Sequence, residues 1–414
     1  MARKARKKSK ARLERKPKAP AQRQPKASTS SVDYHLSERL SYFEERRERI
    51  VETIRQLVEI ESPSDNKPAS DRLASLLAGR FEGLGGHSMF HRTDNFGNHL
   101  QVDFPGKRSG KPVLLLGHYD TVYPLGTLQT MPCRVNDGRL WGPGTLDMKS
   151  GIALMLHAIE GLRSWHSDTL PRPLTVLLVS DEEVGSDSSR AITESVARRS
   201  EAVLVLEPSF GLHGAVKTAR KGVGDYTLKV IGKAAHSGLD FEKGESAILE
   251  LARQLPVIAK LTDVKRGITV NPGLIQGGTR ANVVPAEASV TMDVRIRQMK
   301  DAAEIDRKLR GLKPFNRKCK LEIKGGVNRP PMERNGGVAR LYGQASAIAK
   351  QLGWKLEEAA VGGGSDGNFT AGLGIPTLDG LGGVGEGAHA THESIVISEL
   401  PRRAALLSAL IETV

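Results

Sequence analysis

Four short polar strings in this 414-residue chain carry the side chains from which a two-metal hydrolytic centre is made: Gly117-His118-Tyr119-Asp120, Gly142-Pro143-Gly144-Thr145-Leu146-Asp147, Ser180-Asp181-Glu182-Glu183 and Val205-Leu206-Glu207-Pro208. Such a centre needs hard or borderline ligands, a bridge holding two cations about 3.5–4 Å apart, and a base beside the water they share. His118 can ligate through one ring nitrogen. Asp120, two residues on and on the same face if the strand continues, can accept the other ring N–H. Asp147, in a turn rich in Gly and Pro, offers two oxygens that can each take one metal. Glu182 and Glu183 are adjacent, so their side chains diverge, and one can bind metal while the other faces water. Read alone, His-x-Asp is a weak signal and Asp-Glu-Glu is the usual composition of a solvated turn. Their setting is what gives the strings weight.

Most of them follow or adjoin apolar runs, at 113–116, 174–179 and 202–206, that read as buried strands. Polar groups are thereby delivered where parallel strands end, the place at which α/β folds keep their active sites. With only Cys133 and Cys319 and no CxxC spacing, a disulfide scaffold and a thiolate zinc site are both excluded, so any metal is left to His and carboxylates.

The elements that must position these groups follow from periodicity. Leu40, Phe43, Ile50, Ile54, Leu57 and Val58 are spaced for a helix over 37–60, and further helices are expected at 71–84, 150–162 and 188–199, alternating with the strands. That alternation predicts a mostly parallel sheet flanked by helices. From about residue 216 the order changes to strand 222–231, helix 245–260, strands 267–276 and 286–296, helix 302–312 and strand 318–324, a β-α-β-β-α-β order that suggests an inserted ferredoxin-like α+β domain. A helix over 337–352 returns the chain to the first domain, which a Gly-rich segment at 362–388 and a helix over 400–414 complete. The expected organisation is a disordered basic tail at 1–33, its end (27–33) a linker, catalytic segments at 34–215 and 328–414, and an inserted lid or dimerisation domain at 216–327.

The net charge of +14 is mostly local, because residues 1–26 carry twelve Lys/Arg against Glu14 alone, leaving +3 for the remainder. The basicity belongs to a tail too polar to fold, capable of weak contact with nucleic acid or an acidic surface, and not to the enzyme body. No apolar run fit for a secretory signal follows the basic start, and none approaches the ~20 residues of a membrane helix, so a cytoplasmic protein without a membrane span is expected.

The strings resemble, in residue content and in order, those of the co-catalytic di-zinc family of glutamate carboxypeptidase, acetylornithine deacetylase, succinyl-diaminopimelate desuccinylase and aminoacylase. GHYDTVYP, GPGTLDMKSG, SDEEVGS, LEPS, GKAAHSG, NVVPAE, GGGSD and AHATHE carry the resemblance, which runs over 37–414 and is nearest the glutamate carboxypeptidase branch. It implies a zinc-exopeptidase-like catalytic domain with two Zn2+ per subunit, Co2+ or Mn2+ being acceptable to the same donors. By the same resemblance His118 and Glu207 are private to one zinc, Asp147 is the bridge, Glu183 serves the opposite zinc and Glu182 is the general base. It further implies a cis bond at Asp147-Met148. The last ligand is read as His389, which stands the family's distance ahead of Glu393, with His392 as the other candidate. His236 matches the histidine that reaches the scissile carbonyl, often across a homodimer. Asn282, Arg295 and Arg329 match substrate-binding positions, Arg329 as a bidentate grip on a carboxylate. Gly364, in a string lacking the Gly-Lys-Ser/Thr of a phosphate loop, is expected to let backbone approach the substrate closely.

These readings converge on a hydrolase cleaving the amide to a C-terminal amino acid, glutamate in the first place, from N-acyl or short peptide substrates. An N-acyl-amino-acid deacylase such as an acetylornithine deacetylase is the alternative. A tail-mediated nucleic-acid-binding protein on an inactive hydrolase scaffold is the reading from another class.

Overall fold

Strands Val113–His118, Leu174–Val179 and Ala202–Val205 consist almost wholly of Val and Leu and are buried at every position. A strand apolar on both faces must be covered on both, which places these at the centre of a helix-flanked sheet. The computed structural model, which describes residues 30–414 and, for side chains, 36–414, has that arrangement. The basic tail of 1–26 and residues 27–29 lie outside the described residues.

The main sheet has six strands in the order His87–His91, His99–Phe104, Leu174–Val179, Val113–His118, Ala202–Val205, Thr377–Leu378. Its last three pairings are parallel and the first two antiparallel. Helix Ser150–Trp165 is apolar nearly all round because it is sandwiched, with helix Leu400–Thr413 packed on it. One hydrophobic cluster runs from Leu36 through Phe81, Leu115 and Ile159 to Ile411.

The single helix expected over 37–60 is two, Ser30–Glu45 and Arg47–Val58, parted at Arg46 with φ −105° and ψ 11°. The break lets the first piece lie on helix Leu400–Thr413 and the second on Ser150–Trp165, while the Arg46 guanidinium sits over the Tyr42 ring. Residues 30–33, assigned to the linker, are helical as well.

Beyond strand Val216–Arg220 the chain builds a four-stranded antiparallel sheet in the order Thr269–Gly277, Glu287–Ile296, Gly222–Ile231, Lys320–Arg329, with helices Ala247–Ala259 and Met299–Arg310. Burial alternates along Gly222–Ile231 and Glu287–Ile296, so one face meets the helices and the other does not. Tyr226, Leu228, Val230, Met292 and Val294 meet Leu251 and Ile305 in a core of their own. This ferredoxin-like unit is inserted into the α/β body, and the two crossings are stitched together where the Arg220 N–H donates to the Met332 carbonyl (3.0 Å) and the Met332 N–H to that of Arg220 (3.1 Å). No helix among the described residues is long and apolar enough to cross a membrane.

Candidate metal centre

The strand carrying His118 ends at that residue, so Asp120 is brought back by a turn and not by strand periodicity. His118 is buried. Its Nδ1 lies 3.1 Å from the Asp120 carbonyl oxygen and 3.4 Å from Asp120 Oδ1. A proton on Nδ1 donated to either oxygen leaves Nε2 as the free donor atom. That nitrogen stands 3.1 Å from Asp147 Oδ1 and 3.4 Å from Glu207 Oε1. On the other side His389 Nε2 stands 3.0 Å from Glu183 Oε2 and 3.5 Å from Asp147 Oδ2. The Asp147 carboxylate therefore turns one oxygen to each imidazole. Ligand atoms of His118, Asp147 and Glu183 lie within 4.8 Å of one another, as do those of His118, Glu182 and Glu207.

These spacings fit a metal. Two ligands each about 2.1 Å from a tetrahedral ion are separated by about 3.4 Å, near the nitrogen–oxygen distances found here. Charge agrees: four carboxylates and the buried Asp120 surround two imidazoles, a field that favours cations. Burial opposes the His118 imidazolium, yet Asp120, Asp147 and Glu207 hold its pKa well above the ordinary value. Hydrogen bonds to the Asp147 and Glu183 carboxylates push His389 up to about 10. Asp147 is held below the ordinary range by the two imidazoles in spite of its burial, whereas burial raises Glu182 and Glu183. Glu183 Oε1 is buried without a hydrogen-bond partner among the described residues, leaving an acceptor directed at no protein donor.

The turn bearing Asp147 is clamped from the far end of the chain. The buried carboxylate of Glu393 accepts from the backbone N–H of Gly144 (3.0 Å), Leu146 (2.7 Å) and Asp147 (2.9 Å), and from the Tyr123 hydroxyl (2.7 Å). Gly144 has φ +72°, and a Cβ there would come 2.7 Å from Thr121 Cγ2, so glycine is required twice over. The Asp147–Met148 peptide is cis. His389 adopts φ +61°, uncommon for a residue with a Cβ, and its imidazole joins the cluster, while His392 is exposed and makes none of the cluster's contacts. Sequence spacing singled out Glu393 only as a marker for the preceding histidine. The clamp is its structural role.

At two positions expected to meet substrate, the side chain or the space is already used by the protein. Arg329 is only 5% exposed, and its guanidinium is committed internally: Nη1 donates to Asp366 Oδ1 (2.6 Å), and Nη2 donates to Ser186 Oγ (2.7 Å) and the Glu182 carbonyl (3.1 Å) and lies 3.1 Å from Glu182 Oε1. A bidentate grip on a substrate carboxylate would have to break these buried bonds, and the contacts place Arg329 where it can orient Glu182. At Gly364 a Cβ would stand 3.1 Å from Arg329 Cδ and from Val223 Cγ2, so the close approach its small size permits is to the inserted domain's strands and not to substrate. Arg295 shares its strand row with Val223 and bonds Asp293 at 2.8–3.0 Å. His236 and Asn282 are both exposed and lie side by side, the Ser237 N–H donating to the Asn282 carbonyl. Neither is among the contacts of the cluster. Arg220, buried against Glu207, and Asp379, buried against Arg220, carried no sequence signal.

The sequence model of peptidase family M20/M25/M40 matches residues 114–413. Carboxypeptidase G2 of Pseudomonas sp. (strain RS-16) is 29% identical over 372 residues, 87% of this chain and 88% of that protein. Succinyl-diaminopimelate desuccinylase of Dechloromonas aromatica (strain RCB) is 31% identical over 315 residues, 72% of this chain and 81% of that protein. Among solved structures, aminopeptidase PepT of Bacillus cereus superposes with a TM-score of 0.72 at 24% identity, covering 88% of this chain and 98% of its own. The YXEP protein of Bacillus subtilis, described as a dinuclear metal-binding peptidase, gives 0.66 at 15% identity, covering 89% and 98%. The structural likenesses speak for the fold.

Proposed function

We propose that this chain, which belongs to peptidase family M20/M25/M40 and is a metal-dependent peptidase or amidohydrolase, releases a C-terminal amino acid, glutamate in the first place, from N-acyl or short peptide substrates at a dinuclear zinc centre. The observation that carries this reading is the Asp147 carboxylate set between His118 and His389, with Glu182 on the adjoining turn. His118 and Glu207 would hold one ion, Glu183 and His389 the other, and Asp147 both. The donors suit zinc and would also accept Co2+ or Mn2+. When bound, the ions supply Lewis acidity to the scissile carbonyl and the attacking water.

The remaining chemistry belongs to the chain. Glu182 takes a proton from the water and delivers it to the departing amine, with Arg329 fixing its carboxyl orientation. His236 Nδ1 accepts from the N–H groups of Gly238 and Leu239, both at 3.1 Å, so the ring proton belongs on the exposed Nε2, the tautomer that can donate to a developing oxyanion. Asn282 would bind substrate polar groups. Since Arg329 is buried as well as occupied, Arg295, partly exposed and paired only with the neighbouring, partly exposed Asp293, becomes the cation better suited to the leaving amino acid's carboxylate. Resemblance to the glutamate carboxypeptidase branch supports glutamate, and the likeness to a desuccinylase keeps an N-acyl-amino-acid deacylase as the alternative. Release assays with matched N-acyl substrates ending in glutamate, aspartate, ornithine, methionine and leucine separate them. Glutamate is expected to lead by at least tenfold in kcat/KM, and a lead for ornithine would replace the carboxypeptidase reading with the deacylase.

A homodimer through the inserted domain belongs to the same proposal. Ile248 and Leu249 on helix Ala247–Ala259 and Leu274 and Ile275 on edge strand Thr269–Gly277 are exposed, and among the described residues no strand pairs with that strand's outer edge. Ile275→Lys is expected to convert a dimer into a monomer in analytical ultracentrifugation. A wild-type protein that sediments as a monomer at micromolar concentration would rule the dimer out.

A further inference from the structure

We infer that Arg220 is the positioning residue for Glu207, and that it ties this one side of the metal centre to the place where the chain crosses between the two domains. The inference rests on the reading of Glu207 as a metal ligand. Arg220 is the last residue of strand Val216–Arg220, where the chain leaves the catalytic body, and its side chain turns inward and is buried. Every N–H of the guanidinium is used. Nε and Nη2 grip the Asp379 carboxylate side-on at 2.7 and 3.0 Å, Nη2 also donates to Glu207 Oε2 at 3.2 Å, and Nη1 donates to the carbonyls of Gly363 (3.2 Å) and Gly364 (3.0 Å). Asp379 is itself held by the Ser365 hydroxyl at 2.6 Å.

With Oε2 engaged, Glu207 can present only Oε1 to the centre, where it lies 3.4 Å from His118 Nε2. A glutamate has rotatable bonds to spare, and fixing one oxygen before the ion arrives removes the entropy that binding would otherwise have to overcome. A lysine cannot replace this arrangement, because one ammonium cannot reach two carboxylates and two carbonyls in a planar fork. The contacts are also one-sided: Arg220 touches Glu207 and none of Asp147, Glu183 or His389 among the described contacts. Its backbone is bonded in both directions to Met332, where the chain returns, so the residue that orients Glu207 also sets the crossing. The two glycine carbonyls it holds belong to the loop packed on Val223 and Arg329.

The test is Zn2+ and Co2+ titration of the metal-free full chain, with the melting temperature of the metal-free protein measured alongside. Wild type should bind two equivalents and Glu207→Gln should weaken one of them. Arg220→Lys should weaken that same equivalent about 10–100-fold and leave the other unchanged. In the Glu207→Gln background it should add no further loss. Arg220→Met with Asp379→Asn removes the Arg220–Asp379 pair as a unit, so that Asp379 is not left as an unpaired buried charge, and should give the same one-sided loss. Two intact equivalents in folded Arg220 variants would overturn the inference while leaving the dinuclear reading standing. Equal weakening of both equivalents together with a lowered melting temperature would overturn it in favour of a general structural role. A wild type that binds fewer than two equivalents would overturn the dinuclear reading and this inference with it.

Discussion

Glu182→Gln is expected to lower kcat by roughly 10²–10⁴, about 3–5 kcal/mol of transition-state stabilisation, with KM and metal content close to wild type. The substitution keeps the shape of the side chain and leaves its oxygen able to accept from Arg329, which lies 3.1 Å from Glu182 Oε1 and also bonds the Glu182 backbone carbonyl. What it removes is the function proposed for that carboxylate, reversible proton uptake beside the amide being cleaved. Turnover and metal content should therefore separate. If Glu182→Gln lost metal in proportion to activity, Glu182 would be a ligand and the base would have to be sought elsewhere; if it retained wild-type turnover, the base assignment would fail outright.

Asp147→Asn should do the reverse, with metal lost first and activity with it. One carboxylate faces His118 at 3.1 Å and His389 at 3.5 Å, so it is the group whose charge both halves of the cluster share. An amide of the same shape offers one neutral oxygen and an NH2 that repels a cation. Stoichiometry is expected to fall from two ions to one or none and kcat/KM by more than about 10³-fold, whereas loss of a ligand private to one ion should spare the other. Metal analysis after dialysis decides it, and retention of two ions by Asp147→Asn would exclude the bridging role. Glu393 predisposes Asp147 to that role by holding the N–H groups of Gly144, Leu146 and Asp147 on one carboxylate.

Much of this protein was legible before its fold. The apolar, Val/Leu-rich runs at 113–116, 174–179 and 202–206 read as buried strands, and polar residues at or just past a strand's end sit where parallel strands finish, so local pattern marked His118, Glu182, Glu183 and Glu207 as candidates while the family resemblance gave them roles. The change from about residue 216 to a β-α-β-β-α-β order of segments likewise made the insert recognisable. Family resemblance, not pattern, suggested His389, which lies on a loop without periodicity. The break at Arg46 was not legible, because the apolar spacing of a helix is nearly the same on either side of a kink.

Tertiary structure alone decided the rest, and for a common reason. The bonds of Glu393 to the 144–147 turn, of Arg220 to Asp379 and of Arg329 to Asp366 join residues 37 to 249 positions apart. An arginine free to grip a substrate and one already saturated inside the protein have the same letter and similar neighbours in sequence. Which of them Arg329 is depends on Asp366, Ser186 and Glu182 reaching it first, and Gly364 is small for the sake of the same crossing strand. The amino-acid sequence by itself determined which elements form and which chemistry their ends carry, since these follow from side-chain type and short-range period. Whether a polar side chain spends its hydrogen bonds on the protein or keeps them for a ligand is settled only when distant segments meet, because a buried donor takes whichever acceptor the fold brings within about 3 Å.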